Sequence, residues 1–594
     1  MLKLHKAQNV GKTIFFQYLT PINLIYLIIT NKSGFYDKKS KLLQILESLL
    51  KFNVYEYARR ISWGDLKVST GIRKNAYEAA QLDLKFFNSK GFDNGFLSLK
   101  SINRKLILEK IFFQNRYNLH EFYGMASQFA EESESPYIKI YIDNIGIESI
   151  LRNTEFSKKL VKVSQFNLRR LSFILGILIA PVYILNLIKE NFYKDSICYK
   201  NAIICEVDQS DTYKMFSELF SDRKNVFFVA QKHYLQYLTE SEIADGSIAI
   251  KGISLATAKK IKNVLREYLF FCICNIFSAS NYGWLYFDFL KTIARGYLLT
   301  IDAKDSAYLT FEHLDSEKAV RNELLRLNNN KSIFVAKNNY ITSRYFASEF
   351  KLNYDILCSP CYCQELVYKL QNAETKLVLQ TGSYDSHAAL VRDIDFENRI
   401  DRLKKFKGNS IAITICSNGI MDETIRGEIG LMRLAYRLVQ ESNVKVFIRQ
   451  KPSPLPLKYR NFYNETSLYS NSIMLTGKEF LLSDFLGVTD LFLTSSSSSV
   501  TDLCPAGAEF FCIDFWRDRD QFLWQTIVDG IFLSEVDAFD VIMRWINDSS
   551  HENRISHSKK MQELRKVIAY QHHNFDDYKK NFLKLLGQHL PMYS

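Results

Sequence analysis

The chain has 594 residues, 47% of them apolar, and a formal charge of +13 with a pI near 9.0. That length exceeds one ordinary hydrophobic core and predicts two large domains with an additional module. The charge asks for an anionic partner, but there is no arginine-rich arm, zinc-finger spacing or aromatic RNA-binding motif, which argues against nucleic acid and leaves phosphate-bearing substrates or anionic lipid surfaces.

Residues 1–165 are rich in Lys, Asn, Phe and Tyr and are expected to be mainly helical, with helical patterns over Ser40–Tyr57 and Ala76–Phe87. The early apolar stretch Ile14–Ile29 is interrupted by Gln17, Thr20, Pro21 and Asn23 and has no small-residue cleavage site after it, so no signal peptide is expected. Residues 166–195 contain the uncharged run Leu171–Ile188, with Lys158, Lys159, Lys162, Arg169 and Arg170 before it and Lys189 and Lys194 after it. Eighteen helical residues would span about 27 Å, slightly less than a hydrocarbon core of about 30 Å. Pro181 and Asn186 also interrupt the run. Three placements fit it: a buried core helix, a shallow or re-entrant insertion, or a membrane span. A flat surface helix fits less well because the segment reads as apolar all round. The basic flanks suit an anionic cytoplasmic leaflet.

Residues 196–395 alternate short apolar strands with helices. Asn201–Asp208, Asn225–Ala230, Ser247–Ile250 and Ser332–Ala336 read as strands, with helices over Asp211–Phe220 and Leu255–Leu269. This spacing predicts a parallel α/β sheet. A charged helix over Phe396–Lys407, stopped at Gly408-Asn409, leads into a new set of strands. We place the seam between two doubly wound domains at about 385–409, so that residues 396–594 form the second. Its expected strands are Ile411–Cys416, Val444–Arg449, Ile473–Thr476, Asp490–Thr494 and Phe510–Asp514. Helices are expected at about 423–440, 478–487 and 498–506, and closing helices over Ala538–Ile546 and His557–Leu586.

Ten cysteines are scattered through the chain, many inside apolar runs such as Phe271-Cys272-Ile273-Cys274. This usage predicts reduced, buried thiols in a cytosolic setting. Cys358, Cys361 and Cys363 are clustered, but no second ligand cluster with zinc spacing accompanies them, so no metal is expected.

Three polar segments follow strand ends in the second domain: Ser417-Asn418-Gly419, Arg449-Gln450-Lys451-Pro452-Ser453 and the run Thr494–Ser499, which leads into Val500-Thr501-Asp502. Open parallel sheets bind ligands beyond the carboxyl ends of their strands. Small hydroxyl residues at a helix start leave unpaired amides accessible to an anion, and Arg449 and Lys451 supply positive charge for phosphate. The candidate donor-binding residues are Ser417, Asn418, Arg449, Lys451, Ser497, Ser498, Ser499 and Thr501.

With Ile448-Arg449-Gln450-Lys451-Pro452 and Asp490–Ser499 followed by Asp502, the chain resembles the GT-B nucleotide-sugar glycosyltransferases over about residues 200–590. The nearest in kind are bacterial capsule and lipopolysaccharide enzymes, including CDP-glycerol glycerophosphotransferase-like and Kdo-transferase-like members. The resemblance implies two Rossmann-like domains, with Ser498 and Ser499 on the donor phosphate and Arg449 and Lys451 beside it. Lys451-Pro452 stands where some relatives have histidine and proline, and the acidic pair that holds the donor sugar in many retaining members is not placed in this sequence.

An inverting transferase also needs a group that takes the acceptor proton. Asp208, Asp211, Asp315 and Asp385 are strand-end or near-seam carboxylates, but Glu312, His313 and His387 are preferred because His titrates near neutrality. The expected protein is a metal-independent, cofactor-free glycosyltransferase at the inner face of the cytoplasmic membrane. It would take a nucleotide-sugar donor and a saccharide or lipid-linked acceptor. A nucleotide-sugar epimerase, a polyol-phosphate transferase and a non-catalytic scaffold of a polysaccharide assembly complex are the alternatives.

Overall fold

The computed structural model describes residues 12–16, 70–89, 103–132, 137–141, 172–192, 199–208, 210–231, 238, 248–275, 283–300, 302–311, 316–335, 350–382, 395–416, 425–441, 443–449, 468–476, 479–495, 500–515, 528–548, 550–568 and 575–590. The helix expected over Ser40–Tyr57 lies outside them.

The strand β1 (Lys12–Phe16) pairs in parallel with β2 (Tyr137–Tyr141). Between them in sequence, α1 (Thr70–Ser89) and α2 (Arg104–Glu132) pack through aromatic side chains. Phe87 stacks on Phe112 at 4.3 Å, and Tyr77 meets Phe113 edge-on at 5.0 Å. α2 continues the packing, with Phe113 stacked on Phe350 at 3.9 Å and Lys110 Nζ donating to the Phe350 carbonyl at 2.9 Å. This stretch therefore shares a core with the α/β elements that follow it.

Next come α3 (Ser172–Asn191), β3 (Tyr199–Lys200), β4 (Ile203–Glu206), α4 (Ser210–Leu219), β5 (Val226–Gln231), β6 (Ile248–Lys251), α5 (Leu255–Cys274) and α6 (Gly283–Leu299). They are followed by β7 (Ala303–Lys304), β8 (Ala307–Thr310), α7 (Ser316–Arg326), β9 (Lys331–Val335), β10 (Ile356–Ser359), α8 (Tyr362–Leu370) and β11 (Leu377–Gln380). The first large sheet has the order β11-β10-β9-β8-β4-β5-β6, and every pairing with a resolved register is parallel. Its core strands are nearly continuous apolar runs, as a parallel sheet covered on both faces requires. All four residues are buried in each of β4, β8 and β10.

The second sheet is built from β12 (Ile411–Cys416), β13 (Val444–Arg449), β14 (Ile473–Thr476), β15 (Leu491–Ser495), β16 (Phe510–Asp514) and β17 (Phe532–Ser534). Its order, β14-β13-β12-β15-β16-β17, is wholly parallel and is the doubly wound arrangement with a reversal between β12 and β15. Side-chain alternation divides the strands between two cores. Ala412, Phe447, Phe492 and Phe510 point to one face, where α9 (Phe396–Lys407), α11 (Leu482–Leu486), α12 (Val500–Leu503) and α14 (Glu552–Ile568) cover them. Ile413, Ile415, Val446, Leu491 and Ile513 point to the other, under α10 (Ile425–Glu441) and α13 (Glu535–Ile546). Gly430 of α10 lets the Phe515 ring approach so closely that a Cβ there would clash with it.

All five strands expected in the second half are present, and β17 adds a sixth. Two of its helices are shorter than their sequence patterns suggest, α11 with five residues and α12 with four. Gly487 ends the first, and the second gives way to a turn at Pro505 and Gly507, where φ is +80°. The closing segment is two helices, α14 and α15 (Phe575–Gly587). A buried ion pair ties α9 to α11: Arg399 Nε and Nη2 donate to Asp484 at 2.6 and 3.1 Å. Asp484 also accepts the Leu481 amide at 2.7 Å, so the carboxylate is satisfied from three sides.

His557 of α14 packs against Phe511 at 4.2 Å between ring centres, with Nε2 3.5 Å from Glu509. Burial first, and the Lys560 charge second, lower its pKa from 6.5 to about 4. Above the unfolded value neither state carries the proton. As pH falls from there toward about 4, only the unfolded chain takes it up, so folding weakens over that window. Between about pH 7 and about pH 5 this group should remove about 2 kcal/mol of stability. Urea unfolding of wild type and His557→Gln at both values should show a smaller pH loss for the variant.

Candidate functional site

Strand pairing in the second sheet aligns Thr476, Arg449, Cys416, Thr494 and Cys512 in one row at the carboxyl edge. Phe447, Cys416, Phe492 and Cys512 share one face, so alternation puts Arg449 and Thr494 on that face too. The row crosses the reversal point between β12 and β15, where an open parallel sheet leaves its ligand crevice.

Arg449 is the distinctive member of the row. It ends a strand whose preceding residues are mostly buried, and its Nε is buried with no hydrogen-bond partner among the described residues. A guanidinium N–H removed from water without an acceptor is costly. Cys416 reports the local charge. Burial pushes its thiol up to about 11, the Arg449 charge opposes that rise, and Asp502 and Glu428 add to it. One arginine and two carboxylates, drawn from β13, α12 and α10, thus act on a single sulfur at the end of β12. The hydroxyls of the row are used locally. Thr476 Oγ1 donates to the Ile448 carbonyl and Thr494 Oγ1 to that of Ser495, both at 2.9 Å, while Cys512 Sγ donates to the Ser495 carbonyl at 3.3 Å.

The helix expected over 498–506 is one turn, Val500–Leu503. Four residues sum too few peptide dipoles for an appreciable macrodipole, so positive charge at this edge rests on side chains more than on a helix end. Of the donor residues chosen from sequence, Arg449 is described in full and Thr501 by its backbone alone. Ser417, Asn418, Lys451, Ser497, Ser498 and Ser499 lie outside the described residues, in the stretches that follow β12, β13 and β15. Glu312 and His313, between β8 and α7, and His387, between β11 and α9, lie outside them as well. Glu428 went unrecognised because only the return of α10 over the sheet brings it to the end of β12.

The first sheet carries a second charged group at its strand ends, which sequence reasoning missed. Glu206, Gln231 and Lys251 end β4, β5 and β6. Glu206 receives Arg321 Nη1 at 2.8 Å, Gln231 Nε2 at 3.2 Å and Lys251 Nζ at 3.3 Å. Arg321 of α7 is fully buried, lies 4.9 Å from the centre of the Tyr308 ring, and donates to Tyr354 at 3.2 Å. Lys251 also donates to the Leu299 carbonyl at 3.0 Å and contacts Tyr308 Oη. Burial alone would raise the Glu206 pKa, but the Lys251, Arg321 and Lys318 charges hold it well below the usual carboxylate range. Burial lowers Lys251 to about 8 against the pull of Glu206. The signal in the sequence was a single charged residue closing an otherwise apolar strand.

Nearby Asp208 accepts from Thr212 Oγ1 at 2.5 Å. Asp211 is described by its backbone alone. Cys358, Cys361 and Cys363 are buried, and burial pushes the Cys361 thiol up to about 12. Because breaking a buried ionic network strands the remaining charges, Glu206→Gln should cost about 3–5 kcal/mol. Chemical unfolding should detect that loss, and an unchanged midpoint would show that the network contributes no stability.

No protein-family model matches the chain, and no curated protein matches it. Among solved structures, the wall teichoic acid polymerase TagF is similar at 11% identity and a TM-score of 0.38, over 72% of this chain and 99% of that one. A putative UDP-N-acetylglucosamine 2-epimerase from Listeria monocytogenes is similar at 12% identity and a TM-score of 0.39, over 66% and 97%. The S. aureus MnaA–UDP co-structure reaches 12% identity and 0.40 over 66% and 97%. Similarity this low carries no function across, and the α/β class rests on the chain's own two parallel sheets.

Proposed function

We propose that the chain is a glycosyltransferase that binds a nucleotide-activated sugar at the carboxyl edge of its second sheet and passes the sugar to a cell-surface polysaccharide or glycolipid acceptor. The observation that carries this proposal is the buried Arg449 Nε, which has no hydrogen-bond partner among the described residues and sits in the row of strand ends at the sheet's reversal point. A phosphate oxygen would satisfy that N–H, and the planar fork of arginine suits paired contacts to a diphosphate.

In the transfer, the bond between the sugar carbon and the phosphate oxygen breaks while the acceptor hydroxyl oxygen bonds to that carbon. The acceptor proton passes to a base, and the nucleotide leaves with the bonding electrons. Negative charge grows on the departing phosphate, so Arg449 and Lys451 stabilise the transition state more than the ground state. Ser417, Asn418, Ser497, Ser498, Ser499 and Thr501 complete the donor site by their chain positions, and Glu312, His313 or His387 takes the proton. With the phosphate charge met by side chains and amides, the step needs no metal ion. The enzyme works at the inner face of the cytoplasmic membrane.

Thermal-shift titration with CMP, CDP, UDP, GDP and dTDP should reveal one preferred nucleotide. Arg449→Ala should weaken its binding about 10- to 100-fold, the range expected for losing a hydrogen bond to a charged group. Arg449→Lys should retain part of the affinity, and both variants should keep the wild-type near-UV circular dichroism. The proposal fails if no nucleotide raises the melting temperature of wild type.

A further inference from the structure

The helix α5 presents one outward line of side chains. Leu255, Lys259, Lys262, Arg266, Phe270 and Ile273 are exposed, Phe270 at 70%, Leu255 at 63% and Ile273 at 58%. At 100° per residue these six fall within about 80° of one another, and at 1.5 Å per residue the line runs for about 27 Å. It is the reverse of the covered face, where Ile261, Val264 and Tyr268 are buried. One flat surface can therefore touch all six.

The cations of the line follow one another at i+3 and i+4, spacings at which like charges repel along a helix. None of the three has a hydrogen-bond or ion-pair partner among the described residues. The one carboxylate of α5, Glu267, is half-buried and lies off the line. Large exposed apolar side chains bracket the basic stretch, Leu255 before it and Phe270 and Ile273 after it. A soluble polyanion would answer the cations and leave the apolar ends in water. An anionic bilayer answers both, because it is negatively charged at its headgroups and apolar just beneath them.

A second exposed apolar surface nearby is separate from this one. Ile174, Leu178, Val182 and Leu185 form a ridge on α3. Gly176 of α3 seats against the Tyr268 hydroxyl so closely that a Cβ there would overlap it, and Phe173 meets Phe271 at 6.0 Å. The two helices thus join through the sides roughly opposite their exposed residues, while Tyr183 holds α3 to Phe287 of α6 at 6.1 Å. Charge and apolar bulk coincide on α5 alone.

We infer that the outward line of α5 is a docking surface for an anionic lipid bilayer. Lys259, Lys262 and Arg266 meet phosphate headgroups, and Leu255, Phe270 and Ile273 enter the acyl boundary. Among the described residues no helix is long and apolar enough to cross a membrane, and this contact lies along the surface of one. Such docking rests on the membrane localisation in the proposed function, but it is tested without any nucleotide, so failure of the donor site and failure of the contact are read separately.

The test is flotation of the full chain with phosphatidylcholine vesicles, with and without phosphatidylglycerol. Wild type should float with the anionic vesicles, less with the neutral ones, and should be released by salt in part. Phe270→Ser/Ile273→Ser should reduce partitioning at least about tenfold. Lys259→Glu/Lys262→Glu should abolish the preference for phosphatidylglycerol, and Lys259→Arg/Lys262→Arg should keep it. Leu178→Asp/Leu185→Asp, on the α3 ridge, should float as wild type does. All six positions are exposed, and thermal melts would confirm that the variants fold. Wild type that stays at the bottom of the gradient overturns the inference, as does a Phe270/Ile273 variant that floats equally well or an α3 variant that is the only one to lose flotation. Retention of wild type on a heparin column without flotation would overturn it too, and assign the line to a soluble polyanion.

Discussion

A parallel sheet covered by helices on both faces has no room for an unpaired charge along its strands, so polar chemistry is pushed to the strand ends. Both large sheets obey this constraint. β4, β5 and β6 end in Glu206, Gln231 and Lys251, and β13, β14 and β15 end in Arg449, Thr476 and Ser495. Register then decides which of these ends lie side by side. Each group of neighbouring polar residues thus follows from strand pairing before any loop is considered.

The two edges resolve the constraint differently. At the first sheet, opposite charges answer one another: Glu206 is enclosed by Arg321, Lys251 and Gln231. Such a group orders the end of a sheet and fixes the seating of α7, but little of its bonding capacity remains for a ligand. At the second sheet the hydroxyls are turned onto their own backbone, and a buried Arg449 N–H has no acceptor among the described residues. That surplus, more than the presence of positive charge, is what favours the second edge over the first as the proposed donor site.

Much of this fold was readable because β12, β13, β15 and β16 are long apolar runs bounded by polar residues, the pattern of a strand buried on both faces. β8 and β10 were harder, although β14 of the same length was expected, because Ala307, Thr310, Cys358 and Ser359 dilute their apolar runs. Arg449 was visible as the charge that closes the apolar run Val446–Ile448. Glu428 and the Glu206 network were not, because helices return those partners from distant parts of the chain. The ridge on α3 was hidden for another reason. Its composition is apolar all round, and only packing against α5 and α6 determines which side stays open.

Arg449 is anchored by paired strands on both sides, Thr476 across one ladder and Cys416 across the other. The remaining donor candidates belong to stretches between elements, where substitutions and length changes are tolerated most easily. A molecule arranged in this way separates inheritance from adaptation. In the proposed donor site, the phosphate anchor would be carried by the sheet and persist with the fold, while the contacts that choose base and sugar would be free to drift in the connecting stretches. Under that proposal, a change of ligand would begin with residues 417–424 and 450–467, keeping β12, β13 and β15 intact as a fixed chassis.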